Sequence, residues 1–247
     1  MAARDEIVAY ANELLEVERF PEFAPAGLQV VGAEEVRRIV CGVSASRALF
    51  QHAATAGAEL VLVHHGVIWR NEPRVIDVRM RGRLAVLFEH DLNLVAYHLA
   101  LDAHPEVGNN ALLASELGVI VESSFADIGV GGRLPAPAAI ADLVERIRSL
   151  LGREPIVFAH GPDLVERVAI SSGGSGGHLI EAAENGYELF LTGEPEEPSL
   201  HTARELGIHF VAGGHYATER LGVQALAARL AERFDLEWEF VDLPNPV

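Results

Sequence analysis

The chain has 247 residues, of which 49% are apolar and 22% are charged, and its formal net charge is −17. This length suits one large domain or two of ordinary size, with a core that needs no disulfide. No Lys/Arg cluster could neutralise a polyanion, which excludes nucleic acid as the main partner. No apolar run approaches the roughly 20 residues of a membrane-spanning helix, which excludes a membrane partner.

The N-terminal segment and the cysteine content indicate a cellular compartment. Charged residues occur throughout residues 1–18, which excludes the apolar core of a signal peptide. Cys41 is the single cysteine and falls in a predicted strand, as is typical of a protein from a reducing compartment. We therefore expect a soluble, cytoplasmic protein.

Short β-rich runs alternate with amphipathic stretches, which predicts an α/β fold with parallel sheets covered by helices. In the first half we expect helices at 7–15, 46–56, 81–90 and 109–117, and strands at 38–43, 59–63 and 94–97. In the second half we expect helices at 137–151, 178–185, 199–206 and 218–234, and strands at 128–134, 156–158, 168–171, 188–191, 208–212 and 237–241.

The two halves of the chain repeat one another. Residues 53–60 (AATAGAEL) return as residues 182–189 (AAENGYEL), and Arg38 returns as Arg167 at the same offset. Later in each half, His98 corresponds to His215. A repeat this long predicts two similar α/β lobes from an internal duplication, not a solenoid. We place the lobes at residues 1–125 and 126–247.

Imidazole and carboxylate side chains follow the ends of several predicted strands. His64 and His65 end the apolar run 60–63, and His98 and His215 follow the strands 94–97 and 208–212. Ligands of open parallel sheets bind outside the carboxyl ends of the strands. Nitrogen and oxygen donors are those of mixed transition-metal sites. The pattern therefore predicts a metal site.

A carboxylate follows two of these histidines by four residues: Asp102 follows His98, and Glu219 follows His215. At this spacing Glu219 can share a helix face with His215. Each residue has a structural alternative, because an Asp after a strand is commonly a helix cap and an adjacent His pair can end a strand through hydrogen bonds. His98 and His104 also suit roles outside the ligand shell. The shared position at strand ends favours the metal interpretation.

Residues 173–177 (GGSGG) allow two interpretations. They could cradle a phosphate before a helix, or form a flexible turn. No lysine follows at phosphate-loop spacing, so we favour the turn.

Motifs along the whole chain resemble those of the type 2 GTP cyclohydrolase I family, the dinuclear metal-centre proteins related to the Ngg-interacting factor. The matching motifs are Gly27-Leu28-Gln29-Val30, His64-His65-Gly66, Leu101-Asp102-Ala103-His104, Gly108-Asn109, Thr192-Gly193-Glu194 and Gly214-His215-Tyr216-Ala217-Thr218-Glu219. Two segments depart from the family pattern. Pro25-Ala26 stands where the family usually has Ser-Asn, and residues 43–46 stand where the family usually has a strand ending in Asp.

The resemblance implies two α/β lobes with a metal pair in the cleft between them, assembled as a toroidal homohexamer. It implies that His64 and Asp102 hold one ion, that His65 and His215 hold the other, and that Glu219 bridges both. The cofactors would be two divalent ions drawn from Zn, Fe, Mn, Co or Ni.

Two functions are compatible with this ligand set. The family name implies a metal-dependent hydrolase that opens the purine ring of GTP or acts on a related small molecule. No strong general-base candidate lies outside the ligand set, although His98 could serve in that role. The alternative is a non-catalytic metal carrier, insertion factor or adaptor that uses the same site. The sequence leaves open whether the protein is an enzyme.

Overall fold

The computed structural model describes residues 1–247 as a mixture of helices and strands. The strands are β1 (Ala2–Ala3), β2 (Gly27–Val30), β3 (Glu35–Val36), β4 (Arg38–Ser44), β5 (Leu60–His65), β6 (Asn93–Ala96), β7 (Ile120–Phe125), β8 (Gly129–Ala139), β9 (Ile156–Ala159), β10 (Leu164–Ser171), β11 (Leu189–Thr192), β12 (His209–Ala212) and β13 (Glu237–Phe240). The α-helices are α1 (Arg4–Leu14), α2 (Arg47–Thr55), α3 (Val78–Glu89), α4 (Leu99–Asp102), α5 (Asn109–Leu117), α6 (Ile140–Leu151), α7 (Leu179–Glu184), α8 (Ser199–Leu206), α9 (His215–Thr218) and α10 (Arg220–Phe234).

Local sequence signals set several helix ends. The side chains of Ser46 and Asp77 cap α2 and α3 by accepting hydrogen bonds from Leu49 N and Met80 N. Glycines in the left-handed region follow the last residues of α5, α6 and α8. None of the helices has the length and apolar character that crossing a bilayer requires.

The chain divides into two compact units, of which the first comprises Met1–Leu101 and Gly222–Leu243. Its five-stranded sheet has the order β13-β4-β5-β6-β2, in which only β2 is antiparallel to its neighbour. The buried face of the sheet packs on α2 and α3 through residues that include Val61, Leu49, Phe50 and Leu87. Because β13 joins this sheet, the compact units divide the chain differently from the predicted lobes 1–125 and 126–247.

The second unit comprises Asp102–Leu221 and Pro244–Val247. Its six-stranded sheet has the order β7-β8-β10-β11-β12-β9. The central strands β10, β11 and β12 are parallel, whereas β7, β8 and β9 pair antiparallel. One core contains Leu143 and Ile147 of α6, and another contains Phe190 and Phe210. The predicted α/β class is thus confirmed, with mixed sheets in place of wholly parallel ones.

Several segments differ from the sequence-based expectations, among them β2 and α4, which were not predicted. The strand β7 was not predicted, because its first five residues are exposed and lack an alternating apolar pattern. The predicted helix 137–151 begins only at Ile140, because residues up to Ala139 continue β8. Pro137 is tolerated there because β7 pairs with β8 only as far as Arg133. The predicted helix 218–234 is two helices, α9 and α10, with Glu219 between them.

Corresponding residues of the two sequence repeats make the same local contacts in their own units. Glu59 accepts a hydrogen bond from Arg38 N at 3.0 Å, and Glu188 accepts one from Arg167 N at 3.0 Å. The matching helix-ending glycines have positive φ angles of 67° and 74°. The overlay therefore pairs residues that make equivalent local contacts.

Candidate metal centre

Three histidines of the first unit lie together at the carboxyl ends of β5 and β6. His64 and His65 end β5, and His98 follows β6 by two residues. The two strands are parallel neighbours, so their ends meet at the same edge of the sheet. One ring nitrogen of each histidine lies within 4.8 Å of the others. The ring centroids are 4.7 to 5.5 Å apart.

The Nδ1 atom of each of these histidines has a hydrogen-bond partner. Nδ1 of His64 lies 2.9 Å from the carbonyl oxygen of Tyr97, and Nδ1 of His98 lies 2.7 Å from Oε2 of Glu22. These oxygens can only accept, so Nδ1 is the donor in both contacts. Nδ1 of His65 contacts Oγ of Ser44 at 3.2 Å. An outer partner on Nδ1 is the usual arrangement for a metal-binding imidazole.

A pocket beside the histidines is lined by aromatic and polar side chains. The Trp69 ring meets the His98 ring edge-on at 5.1 Å, and its Nε1 donates to the Gly66 carbonyl at 2.9 Å. Gln29 packs so closely against Gly66 that a Cβ at position 66 would overlap the side-chain amide of Gln29. The segment Pro25-Ala26, which departs from the family pattern, lines the same pocket.

In the second unit, His215 and Glu219 flank the short helix α9. Nε2 of His215 lies 3.1 Å from Oε1 of Glu219, and Nδ1 donates to Oε1 of Glu194. Burial lowers the pKa of His215, but hydrogen bonds and charge from both carboxylates outweigh it and raise that pKa to about 9. The strong negative potential around this imidazole also favours a bound cation.

The glycine run 173–177 packs against this pair. Gly173 has a φ angle of +63°, and a Cβ there would overlap Oε1 of Glu219. Its carbonyl accepts hydrogen bonds from Gly193 N at 2.9 Å and Glu194 N at 3.1 Å. Glycine at 173 therefore makes room for the Glu219 carboxylate, a role that neither sequence-based interpretation included.

Asp102 is a buried carboxylate at the end of α4. Its Oδ1 accepts hydrogen bonds from Asn109 Nδ2 at 2.8 Å and Ser172 Oγ at 3.2 Å. Both donors are neutral groups, and a carboxylate oxygen is a common ligand of divalent metal ions. It does not cap α5, where Gly108 occupies the N-cap position. His104 has a local role, because its Nδ1 accepts from Glu106 N and Val107 N at 3.1 Å each.

The donor groups of both units suit a divalent transition metal. They consist of imidazole nitrogens and carboxylate oxygens, which bind Zn, Fe, Mn, Co and Ni. Thiolate plays no part, because Cys41 is buried in β4 and burial raises its pKa to about 12. The protein thus has His, Asp and Glu groups that can bind a metal ion.

A profile of the family described as Duf34/NIF3 (NGG1p interacting factor 3) matches residues 2–246. The chain belongs to the Duf34/NIF3 family. It is 45% identical over 242 residues to the Escherichia coli K12 protein named GTP cyclohydrolase 1 type 2 homolog, and the alignment covers 98% of both chains.

Two solved structures give the same result for the fold of this Duf34/NIF3 protein. The structure titled "protein ybgI, unknown function" has 44% identity and a TM-score of 0.97 over 100% of both chains. The protein TTHA1606 from Thermus thermophilus has 40% identity and a TM-score of 0.92, also over 100% of both chains. The predicted family membership and the α/β fold are both confirmed.

Sequence reasoning missed the groups that hold the histidine rings. Glu22 is 76 residues from its partner His98, and no motif connects them. Ser44 lies in one of the two segments that depart from the family pattern. Glu194 was part of a matching motif, which gave no indication that it contacts His215. Spacing in the sequence finds side chains on one element, but it does not find such long-range partners.

Proposed function

We propose that this chain binds two divalent metal ions and uses them to hydrolyse a small molecule. The observation that supports this most directly is that ring nitrogens of His64, His65 and His98 lie within 4.8 Å of one another. The Nδ1 atom of each ring also has a hydrogen-bond partner. The ligands would be His64, His65, Asp102, His215 and Glu219.

The arrangement that we propose follows the family resemblance. His64 and Asp102 would hold one ion, His65 and His215 would hold the other, and Glu219 would serve both. Two bridged ions polarise a carbonyl or phosphoryl group and lower the pKa of a bound water. Glu194 and the Tyr97 carbonyl hold the rings of His215 and His64 in position. With its proton on Nδ1, His98 could take a proton at Nε2 as the general base.

GTP is the first substrate to test, because relatives that are 40 to 45% identical are named GTP cyclohydrolase 1 type 2 homolog. The reaction would add water at C8 of the purine and open the five-membered ring. The net charge of −17 does not attract a triphosphate, so the bound ions would have to supply the positive charge.

The alternative is a metal carrier, insertion factor or adaptor. With Glu219 counted twice, each ion has about three protein donors, whereas a structural zinc site is usually closed by four. Open coordination positions suit metal exchange as well as they suit hydrolysis. We also propose, from the resemblance and the buried thiol, that the protein is a cytoplasmic homohexamer.

One experiment separates these functions. The purified chain is reconstituted with Zn, Fe, Mn, Co or Ni and assayed by elemental analysis and by turnover of GTP and other nucleotides. The Glu219→Gln variant is the control. An enzyme turns over substrate only with metal and an intact Glu219. A carrier binds about two ions, releases them to an acceptor chelator and shows no turnover. Wild-type protein that binds no metal contradicts both functions.

A further inference from the structure

An arginine of the second unit lies beside the turn that carries His215. The strand β9 pairs antiparallel with β12, and its first residue Ile156 lies opposite Ala212, the last residue of β12. The residues just before β9 therefore run alongside the residues just after β12. Arg153 is in this loop, and its guanidinium packs on Gly214, where a Cβ would overlap Nη1. Arg153 thus lies at the same edge of the sheet as His215.

The positive charge of Arg153 has no counter-charge within the chain. Arg153 forms no salt bridge, whereas Arg133 and Arg148 of the same unit pair with Glu122 and Glu154. Its Nη1 is buried without a hydrogen-bond partner, although the side chain as a whole is half-buried. A donor that has lost water without gaining an acceptor costs free energy. This arginine is unpaired in a chain that has 36 acidic residues against 19 basic ones.

A second guanidinium contacts the same loop. Nη2 of Arg220, the residue after Glu219, donates to the Leu151 carbonyl at 3.2 Å. Leu151 precedes Arg153 by two residues, and its side chain packs against Gly213 of the turn after β12. Two positive side chains are therefore held at the loop between α6 and β9. Their charges make the local electrostatic potential more positive than the net charge of the chain suggests.

A phosphate group is the ligand that this arrangement favours. A guanidinium presents paired N–H donors in one plane, which match two oxygens of a phosphate, and it stays charged at physiological pH. A phosphate would supply both the acceptor that Nη1 lacks and the counter-charge that Arg153 lacks. Because no hydrogen bond holds the guanidinium, it can turn towards a ligand on its exposed side.

We propose that Arg153 binds a phosphate group of the substrate while the reacting part of the substrate is at the metal centre. This inference rests on the proposed hydrolase function and adds to it a substrate class, the phosphorylated small molecules, and a residue that selects them. Arg153 contacts a part of the substrate that does not react. It therefore contributes to substrate binding, and its loss should raise KM and leave kcat nearly unchanged.

Binding of inorganic phosphate tests Arg153 without any turnover. Isothermal titration measures the phosphate affinity of the full-length chain, both metal-free and loaded with Zn²⁺. We expect Arg153→Gln to weaken phosphate binding by roughly 10- to 100-fold, as the loss of a hydrogen bond between charged groups should. Arg153→Lys keeps the charge without the paired donors, so its phosphate affinity should be intermediate. The Zn²⁺ affinity should not change, because Arg153 is no ligand, whereas a merely structural role would alter it.

Arg146→Gln is the matched control. Arg146 is an exposed arginine on α6, so its substitution removes the same charge away from the loop and should leave phosphate affinity unchanged. If Arg153→Gln fails to fold by circular dichroism, Arg153→Lys is compared with the wild-type chain in its place.

Wild-type protein that binds no phosphate in either form overturns the proposal. Equal weakening by Arg153→Gln and Arg146→Gln also overturns it, because only net charge would then matter, and so does tighter binding of acetate than of phosphate. GTP turnover with an unaltered KM in Arg153→Gln contradicts the proposal and leaves the hydrolase function intact. Conversely, phosphate binding that depends on Arg153 in a chain without turnover supports the phosphate site and contradicts only the hydrolase function.

Discussion

At the scale of single residues, histidines of the candidate site are held by groups from distant parts of the sequence. Glu22, Ser44 and Glu194 contact Nδ1 of His98, His65 and His215. Such contacts fix the tautomer and direction of each ring before an ion arrives. Substitutions of residues in the proposed site should therefore change the affinity for metal ions.

Replacing the bridging carboxylate should affect both ions. We expect Glu219→Gln to weaken the binding of both ions by more than the roughly 10- to 100-fold that loss of an outer partner costs. Asp102→Asn should weaken mainly one ion, because Asp102 is assigned to one. Isothermal titration of Zn²⁺ into metal-free protein measures both affinities. Equal, independent losses of one ion in each variant would contradict a bridge.

Cys41 should be inert in the folded protein. Its pKa is raised to about 12 by burial, so at pH 8 almost no thiolate is present. We expect iodoacetamide to leave native Cys41 unmodified and to modify it after denaturation, as mass spectrometry can show. Because burial raises the pKa of Cys41, the stability of the fold should also depend on pH. The contribution of the neutral buried thiol to stability is fully present below about pH 8.5, the ordinary thiol pKa, and is lost as pH rises towards 12. Rapid labelling of the native chain would contradict the buried thiol.

At the scale of elements, sequence patterns located most helices and strands, and the exceptions have physical causes. The helices Asn109–Leu117 and Ser199–Leu206 were predicted with their observed bounds. Glycines after both helices provided the signal. The break at Glu219 went unpredicted, because no Gly or Pro marks it and the apolar pattern continues into α10. The strand β7 lacks apolar alternation, because it lies at an exposed sheet edge.

Some residues of the candidate site could likewise be predicted from the sequence, and others could not. Histidines at strand ends could be found from sequence, because parallel strands end at one edge. Glu22 could not, because the loop that carries it reaches His98 only in the folded chain. The steric role of Gly173 was also hidden, since a glycine run in sequence suggests flexibility, not room for a neighbouring carboxylate.

The loop before α7 should tolerate no side chain at Gly173. We expect Gly173→Ala to lose metal affinity, because its Cβ would displace the Glu219 carboxylate. Gly118→Ala is a matched control: its φ angle is +74° and its Cβ would meet nothing within 4 Å. Both variants should lose about 1–2 kcal/mol of stability from the left-handed backbone. Equal metal binding in the two variants would show that Gly173 has no role at the site.

At the scale of the whole molecule, the apolar cores do not include the candidate ligands. The buried clusters that pack the helices on the sheets consist of apolar side chains. We therefore expect a chelator to remove metal without unfolding the chain. Far-UV circular dichroism should stay unchanged, while the melting temperature falls because bound ions stabilise only the folded state. Loss of helical signal on chelation would contradict folding that is independent of metal.

The proposed homohexamer is supported only by the family resemblance. A homohexamer should elute with a mass near six times that of the 26.6 kDa chain in light scattering at micromolar concentration. A mass near that of one chain would contradict the ring.

The central claim is a pair of ions held by five named side chains. Diffraction at the absorption edge of the bound metal, from crystals of reconstituted protein, tests it most directly. We predict two anomalous peaks per chain, roughly 3.5–4 Å apart, with the Glu219 carboxylate between them. No peak, or peaks that contact neither His64 nor His215, would contradict the claim.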